Sequence, residues 1–340
     1  MEALFRQALA CQKAGRLDEA EALYRQSAAW KPEWTLGNLG VILRTTGRLE
    51  EAEAVLRAAL AADPANGPVR HSLGMTLLQL GKYAEGWALY EARRGLYSAP
   101  APPPLPEWRG ESLAGKRIVV VAEQGLGDQI MLSRFLPLLQ AGEVALACSR
   151  PLVRLLSALP ATVSNPQAWD GVIADCWTYL GSVPRWLELG PGDAPAPYLP
   201  CPSAPARGTG VMLQGAPANP ANIHRLPGPA VVSAIRGLGA FTDLSPEVSG
   251  ARDFADTARV VAELERVITV DTSVAHLAGA MGKPCWVLAS RPMLDWYLNW
   301  HDDRTPWYPS YRIVRQPSVG DWAGVIARLA AMLAEPAAVA

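Results

Sequence analysis

The chain has 340 residues, half of them hydrophobic, with 31 basic and 32 acidic residues and a formal net charge of −1. That length allows two or three domains with sizeable cores, and the hydrophobic share excludes a disordered chain. The even charge balance gives no basis for nucleic acid or an anionic membrane as the main partner, and no apolar run approaches the roughly 20 residues of a membrane span.

The N-terminus, MEALFRQALACQKAGRLDEA, reads as an acid-bearing amphipathic helix without a signal peptide's apolar stretch. A repeat then becomes visible. "GRLDEAEALYRQSAAWKP" at 15–32 returns as "GRLEEAEAVLRAALAADP" at 47–64, and a third copy begins with "GKYAEGWALYEAR" at 81–93. A period near 34 with paired helices is the tetratricopeptide pattern. Small residues (Gly40, Gly74, Ala20, Ala52) let neighbouring helices approach, and large ones (Tyr24, Leu56, Tyr90) fill the grooves between them. Such units bury their apolar faces only by stacking, and three are about the minimum. Their surface serves either as a groove for a protein or peptide partner or as a buttress for the next domain.

"SAPAPPPLPEWRG" at 98–110 is a Pro-rich linker with Trp108 as a packing anchor. From Lys116 the pattern is α/β. Strands are predicted at 117–122, 144–148 and 171–174. After a second Pro-rich stretch at 184–206, more are predicted at 210–213, 240–244, 267–271, 285–289 and 312–314. Helices alternate with them, one capped by Asp253 or Asp256 and one closed by Gly282 and Pro284. Alternation implies doubly wound parallel sheets, whose ligands bind at the carboxyl ends of the strands.

Two turns meet that rule. In "EQGLGD", 123–128, Gly125 and Gly127 permit a tight turn and close approach of a ligand, and Asp128 is either a helix cap or a general base. In "VDTSVAHLAGAMGKP", 270–284, a strand ends at Asp271, and Thr272 and Ser273 open a helix whose first-turn N–H groups form an anion site. His276 adds a donor, or is a structural histidine. The five cysteines (11, 148, 176, 201 and 285) form no Cys-x-x-Cys or Cys/His cluster, which fits reduced thiols in the cytoplasm and no zinc site.

These motifs in this order, with "DWAGVI" behind them and the repeats in front, make nearly the whole chain resemble a bacterial family. Its members are tetratricopeptide-repeat proteins with a glycosyltransferase region related to the lipopolysaccharide heptosyltransferases. The resemblance implies a helical solenoid followed by two Rossmann-like lobes in GT-B arrangement. The boundaries are then repeats over 1–97, linker over 98–114, a first lobe over 115–205 and a nucleotide-sugar lobe over 206–340. It implies Asp128 as the base, and a donor-diphosphate cradle at Thr272, Ser273, Val274 and His276, with Gly125, Gly127, Asp271 and Arg225 in the donor-binding set. No metal or cofactor is implied, and no Asp-x-Asp pair occurs. The chain departs from the family at Ala216, where Asn is usual, and at Tyr297, where Arg is usual. Arg225 or His224 takes the place of a lysine. Two functions therefore stand: an inverting glycosyltransferase whose acceptor is a protein or peptide at the repeats, and a degenerate scaffold that still binds nucleotide.

Overall fold

The computed structural model describes residues 1–166, 168–194, 196–202, 206–215, 225–292, 295–298 and 302–335. They form two compact units. The first is Met1–Ala99 with Glu188–Gly190 and residues 295–298, and the second is the remainder. Ala216 and His224 lie outside the described residues. Among the described residues no helix is long and apolar enough to cross a membrane.

The first unit stacks three helix pairs: α1 (Glu2–Lys13) with α2 (Leu17–Gln26), α3 (Pro32–Thr45) with α4 (Leu49–Ala62), and α5 (Gly67–Gln79) with α6 (Tyr83–Tyr90). Each pair turns at a glycine with positive φ: Gly15, Gly47 and Gly81. The next residue donates back across the turn, Arg16 to Cys11 O, Arg48 to Leu43 O and Lys82 to Leu77 O, at 2.8–2.9 Å. This bond closes the first helix and aims the second. A Cβ on Gly40 would come within 2.4 Å of Leu56, and one on Gly74 within 2.7 Å of the Tyr90 backbone. The small positions of the repeat are therefore sites of helix contact.

Chain from far downstream completes the third pair. Trp87 Nε1 donates to Leu189 O at 2.7 Å, and Gln79 Nε2 to Asp295 O at 3.5 Å. Trp296 sets its edge against Trp87, with centroids 5.3 Å apart. Trp296, Tyr297 and Leu298 are all buried. Tyr297 stands where the resembled family usually has Arg. It belongs to the repeat unit, where this apolar run is anchored through Trp296.

The second unit contains two parallel sheets. One runs β3-β2-β1-β4, from β1 (Arg117–Val121), β2 (Glu143–Ala147), β3 (Thr162–Ser164) and β4 (Cys176–Tyr179). The other runs β6-β5-β7-β8-β9, from β5 (Thr209–Met212), β6 (Phe241–Asp243), β7 (Arg266–Val270), β8 (Cys285–Ala289) and β9 (Tyr311–Arg315). All pairings are parallel, so both sheets are Rossmann-like. Val211, Ile268, Val270, Leu288 and Val314 build the core of the second sheet under helices Pro229–Arg236 and Trp322–Ala334. One strand expectation needs correction, and one strand, β3, has no counterpart among the predicted strands. Residues 171–174 are not a strand: Ile173 is 79 % exposed in irregular chain, and the strand begins at Cys176. The three-residue edge strand β3 is too short to show a period.

Candidate functional site

In each sheet the strand order reverses at one place, between β1 and β4 in the first and between β5 and β7 in the second. Loops diverge there and leave a crevice at the carboxyl ends. The 123–128 turn follows β1 and the 271–273 turn follows β7, so both motifs stand at a switch point.

The two turns touch. Helix α7 (Leu126–Leu132) packs on the helix Ser273–Ala280 so closely that a Cβ on Gly127 would lie 2.5 Å from His276 Cδ2. Gly127 is thus required by contact with protein. Neither motif glycine takes the left-handed backbone of the turn; Gln124 does, with φ +67°. Non-glycine residues hold that conformation at a cost of order 1–3 kcal/mol, and only where the surroundings enforce it. Gln129 supplies part of that enforcement: its Nε2 donates to Gln124 O at 3.2 Å and to Ser149 Oγ at 2.9 Å. Its Oε1 accepts the Ser149 N–H at 3.0 Å, joining the β1 and β2 turns.

Asp128 occupies the third helical position. Its Oδ2 accepts the Gly125 N–H at 3.1 Å, the reaching-back half of a capping box. It therefore caps, and it is also perturbed. Burial pushes its carboxyl up to about 6; the Gly125 N–H opposes this, and the charges of Asp271 and Glu123 add to it. Glu123 is buried and accepts the Gly181 N–H across the first switch point at 3.3 Å.

The second turn differs from expectation in its side chains. Thr272 holds the N-cap position without capping; its hydroxyl lies 3.1 Å from Thr269 Oγ1. His276 Nδ1 lies 3.1 Å from the Tyr308 hydroxyl. Burial holds its imidazole down at about 4, with Asp271 opposing and Arg134 adding to the effect. Asp271, Thr272 and His276 are all buried. The donors of this helix start to which no described group bonds are the backbone N–H groups of Ser273 and Val274 and the Ser273 hydroxyl. Arg225 is half-buried, immediately after residues 216–224. The structure thus brings Gly125, Gly127, Asp128, Asp271 and the 272–276 turn together.

Sequence reasoning missed the basic lining beside this junction. A cavity of about 940 Å³ is lined by Arg150, Arg154, Asn165, Arg252 and Asp253, among others. Arg150 follows Ser149, the residue tied to Gln129. Arg154 reaches Asp253 at 2.8 Å and Asp256 at 3.2 Å, and Asp253 caps its helix by accepting from Ala255 and Asp256 N–H. Scattered arginines 100 residues apart carry no local pattern, so no sequence signal marks them. Among the described residues no group of three His, Cys, Asp or Glu side chains is arranged to hold a metal ion.

Comparison with known proteins assigns the first part. The tetratricopeptide repeat model matches residues 2–33 and 35–66. A curated relative, Protein FlbA of Caulobacter vibrioides, is 26 % identical over 77 % of this chain. The chain spans about half that relative's length, 54 %. Among solved structures, the Thermobaculum terrenum O-GlcNAc transferase mutant K341M aligns over 99 % of this chain and 83 % of its own, with 17 % identity and a TM-score of 0.34.

Proposed function

We propose that the chain is a glycosyltransferase that moves a sugar from a nucleotide-sugar donor to an acceptor, a protein or peptide presented by the repeats. One observation carries this reading: the buried Asp128 carboxyl on one switch-point turn stands against a helix start on the other, whose first backbone N–H groups no described group takes up. Asp128 takes the proton from the acceptor hydroxyl, and a carboxyl near 6 is ionised yet basic enough to do so around neutrality. The acceptor oxygen bonds to the anomeric carbon from the face opposite the leaving group. The carbon–oxygen bond to the diphosphate breaks, and its negative charge goes to the Ser273 and Val274 N–H groups at the positive end of their helix. In the cavity, Arg154 and Arg252 are already paired with Asp253 and Asp256, and Arg150 provides the countercharge for an anionic donor. A scaffold that only binds nucleotide is the second reading. It is favoured by the internal hydrogen bonds of Thr272 and His276, which withdraw two side chains from the ligand.

Ser273 offers a clean test. It is the first helical residue, where proline is tolerated, and Thr272 before it is already extended (φ −144°, ψ 171°). Ser273→Pro therefore removes one N–H with the helix intact, whereas Ser273→Ala keeps it. Calorimetry against a panel of nucleoside diphosphates and nucleotide sugars should show Ser273→Pro weaker than Ser273→Ala. The expected difference is one charge-assisted hydrogen bond, roughly 1.5–3 kcal/mol. Equal affinity in the two variants removes the diphosphate site; a panel in which nothing binds removes the donor.

A further inference from the structure

Arg134 lies on the short helical segment Ser133–Leu139 that continues α7, and it is 1 % exposed. A guanidinium stays charged in a protein, and an isolated buried charge is costly. The described structure gives Arg134 no carboxylate partner. Two carbonyls and three aromatic faces take that place. Nε donates to Met131 O at 3.1 Å, and Nη1 to Trp307 O at 2.9 Å. The guanidinium carbon lies 4.7 Å from the Tyr308 ring centroid, 4.8 Å from that of Tyr198 and 5.4 Å from that of Trp307. Such cation–aromatic contacts strengthen when the cation is desolvated.

The walls of this cage come from three separate parts of the second unit. Arg134 and Met131 follow β1. Tyr198 belongs to the connection before β5, and its hydroxyl donates to Ile130 O at 2.9 Å. Trp307 and Tyr308 precede β9. Tyr308 in turn bonds His276 and fills the space over Gly279, where a Cβ would lie 2.3 Å from its ring. Contact therefore runs unbroken from the Asp128 helix through Arg134 and Tyr308 to the helix of the 272–276 turn. The cage is whole only when the first lobe, the connection and the second lobe are docked.

From this geometry we infer that Arg134 is a positioning residue, a latch that holds the Asp128 turn against the His276 turn before any ligand arrives. The site-level consequence rests on the function proposed above; the latch itself does not. Arg134 also acts through charge. The groups that act on the His276 ring include Asp271 on its own turn, the Tyr308 hydroxyl and Arg134. Of these Arg134 is the cation, and it opposes protonation of the ring.

The test uses the full chain with Arg134→Met and Arg134→Lys. Lys keeps the charge but offers one compact donor group in place of the planar fork. Amide hydrogen exchange should rise at least tenfold in peptides covering 126–139 and 273–281 in Arg134→Met, and less in Arg134→Lys. Peptides of β2, β3 and α1–α4 should not change. Imidazole NMR provides the second readout: the chain has four histidines, and His276→Gln assigns the resonance. The His276 midpoint should rise in Arg134→Met and hold in Arg134→Lys; a residue that only fills space would move it equally in both. If Arg134→Met does not fold, Arg134→Lys decides through the exchange arm. Unchanged exchange in both segments overturns the latch, as does a uniform rise through both sheets. An unmoved His276 midpoint in folded Arg134→Met overturns the electrostatic part. Neither readout needs a donor or an acceptor, so a wild-type chain that binds no nucleotide sugar refutes the proposed function and leaves the latch to be judged on its own.

Discussion

Asp128→Asn should make the protein more stable and less active, and the gain should depend on pH. The folded carboxyl titrates at about 6 against an ordinary value of 3.8. Between those values the folded chain holds a proton that the unfolded chain has released. Stability contributed by this group therefore falls as pH rises through the 3.8–6 window, and the full penalty persists above it. A shift of about 2 units corresponds to roughly 3 kcal/mol, an upper bound because the side chain is half-buried rather than enclosed. Asn keeps an oxygen for the Gly125 N–H and brings no charge towards Asp271 and Glu123. Its melting temperature should match wild type at pH 4 and exceed it by a few degrees at pH 8. The histidine contributions are common to both chains and cancel in the difference. In parallel, transfer should slow by about 10²–10⁴-fold, because an amide cannot accept the proton. A melting difference that is constant with pH, or a variant less stable at pH 8, would refute the buried-acid account. An unchanged transfer rate would leave Asp128 as a cap alone.

Other consequences are as direct. Burial holds His71 at about 4, so the unfolded chain gains a proton first and stability drops as pH falls from 6.5 to 4. His71→Phe preserves the stack on Tyr90 and should flatten the urea midpoint of the repeat unit across that window; an equal acid loss in both chains would contradict this. Gly127→Ala must push His276 aside and should cost about 1–3 kcal/mol in thermal melts, and a silent substitution would show that the turns are not packed. Trp87→Ala empties a fully buried site and should cost about 3–5 kcal/mol; a drop under 1 kcal/mol by circular dichroism would deny the downstream segment its anchoring role.

Local chemistry was legible in the sequence, and long-range partners were not. The repeats could be read because a missing side chain at Gly40 or Gly74 records a helix crossing directly. Strands with strong apolar runs, such as Arg117–Val121, were equally plain. The apolar stretch at 171–174 misled because composition does not reveal exposure, and Ile173 points to solvent. The turns at 123–128 and 271–273 were found, but Gly127 was read as room for a ligand when a histidine 149 positions away takes the space. Thr272 as a donor, and His276 as a donor or a structural histidine, could not be decided locally, because their partners, Thr269 and Tyr308, are set by the fold and not by spacing.

The downstream anchoring of the third helix pair has a consequence for synthesis. The Trp87 hydrogen bond closes a loop of 102 residues, and the Gln79 bond one of 216. At about 5–20 residues per second, a ribosome takes roughly 10–40 s to supply the longer partner. The first pair can close as it emerges, whereas Arg44 of the second pair also feels the charge of Asp295 far downstream. The third pair must wait with Trp87 and Tyr90 uncovered, so the nascent chain presents an aromatic surface to the cell until Trp296 has been translated.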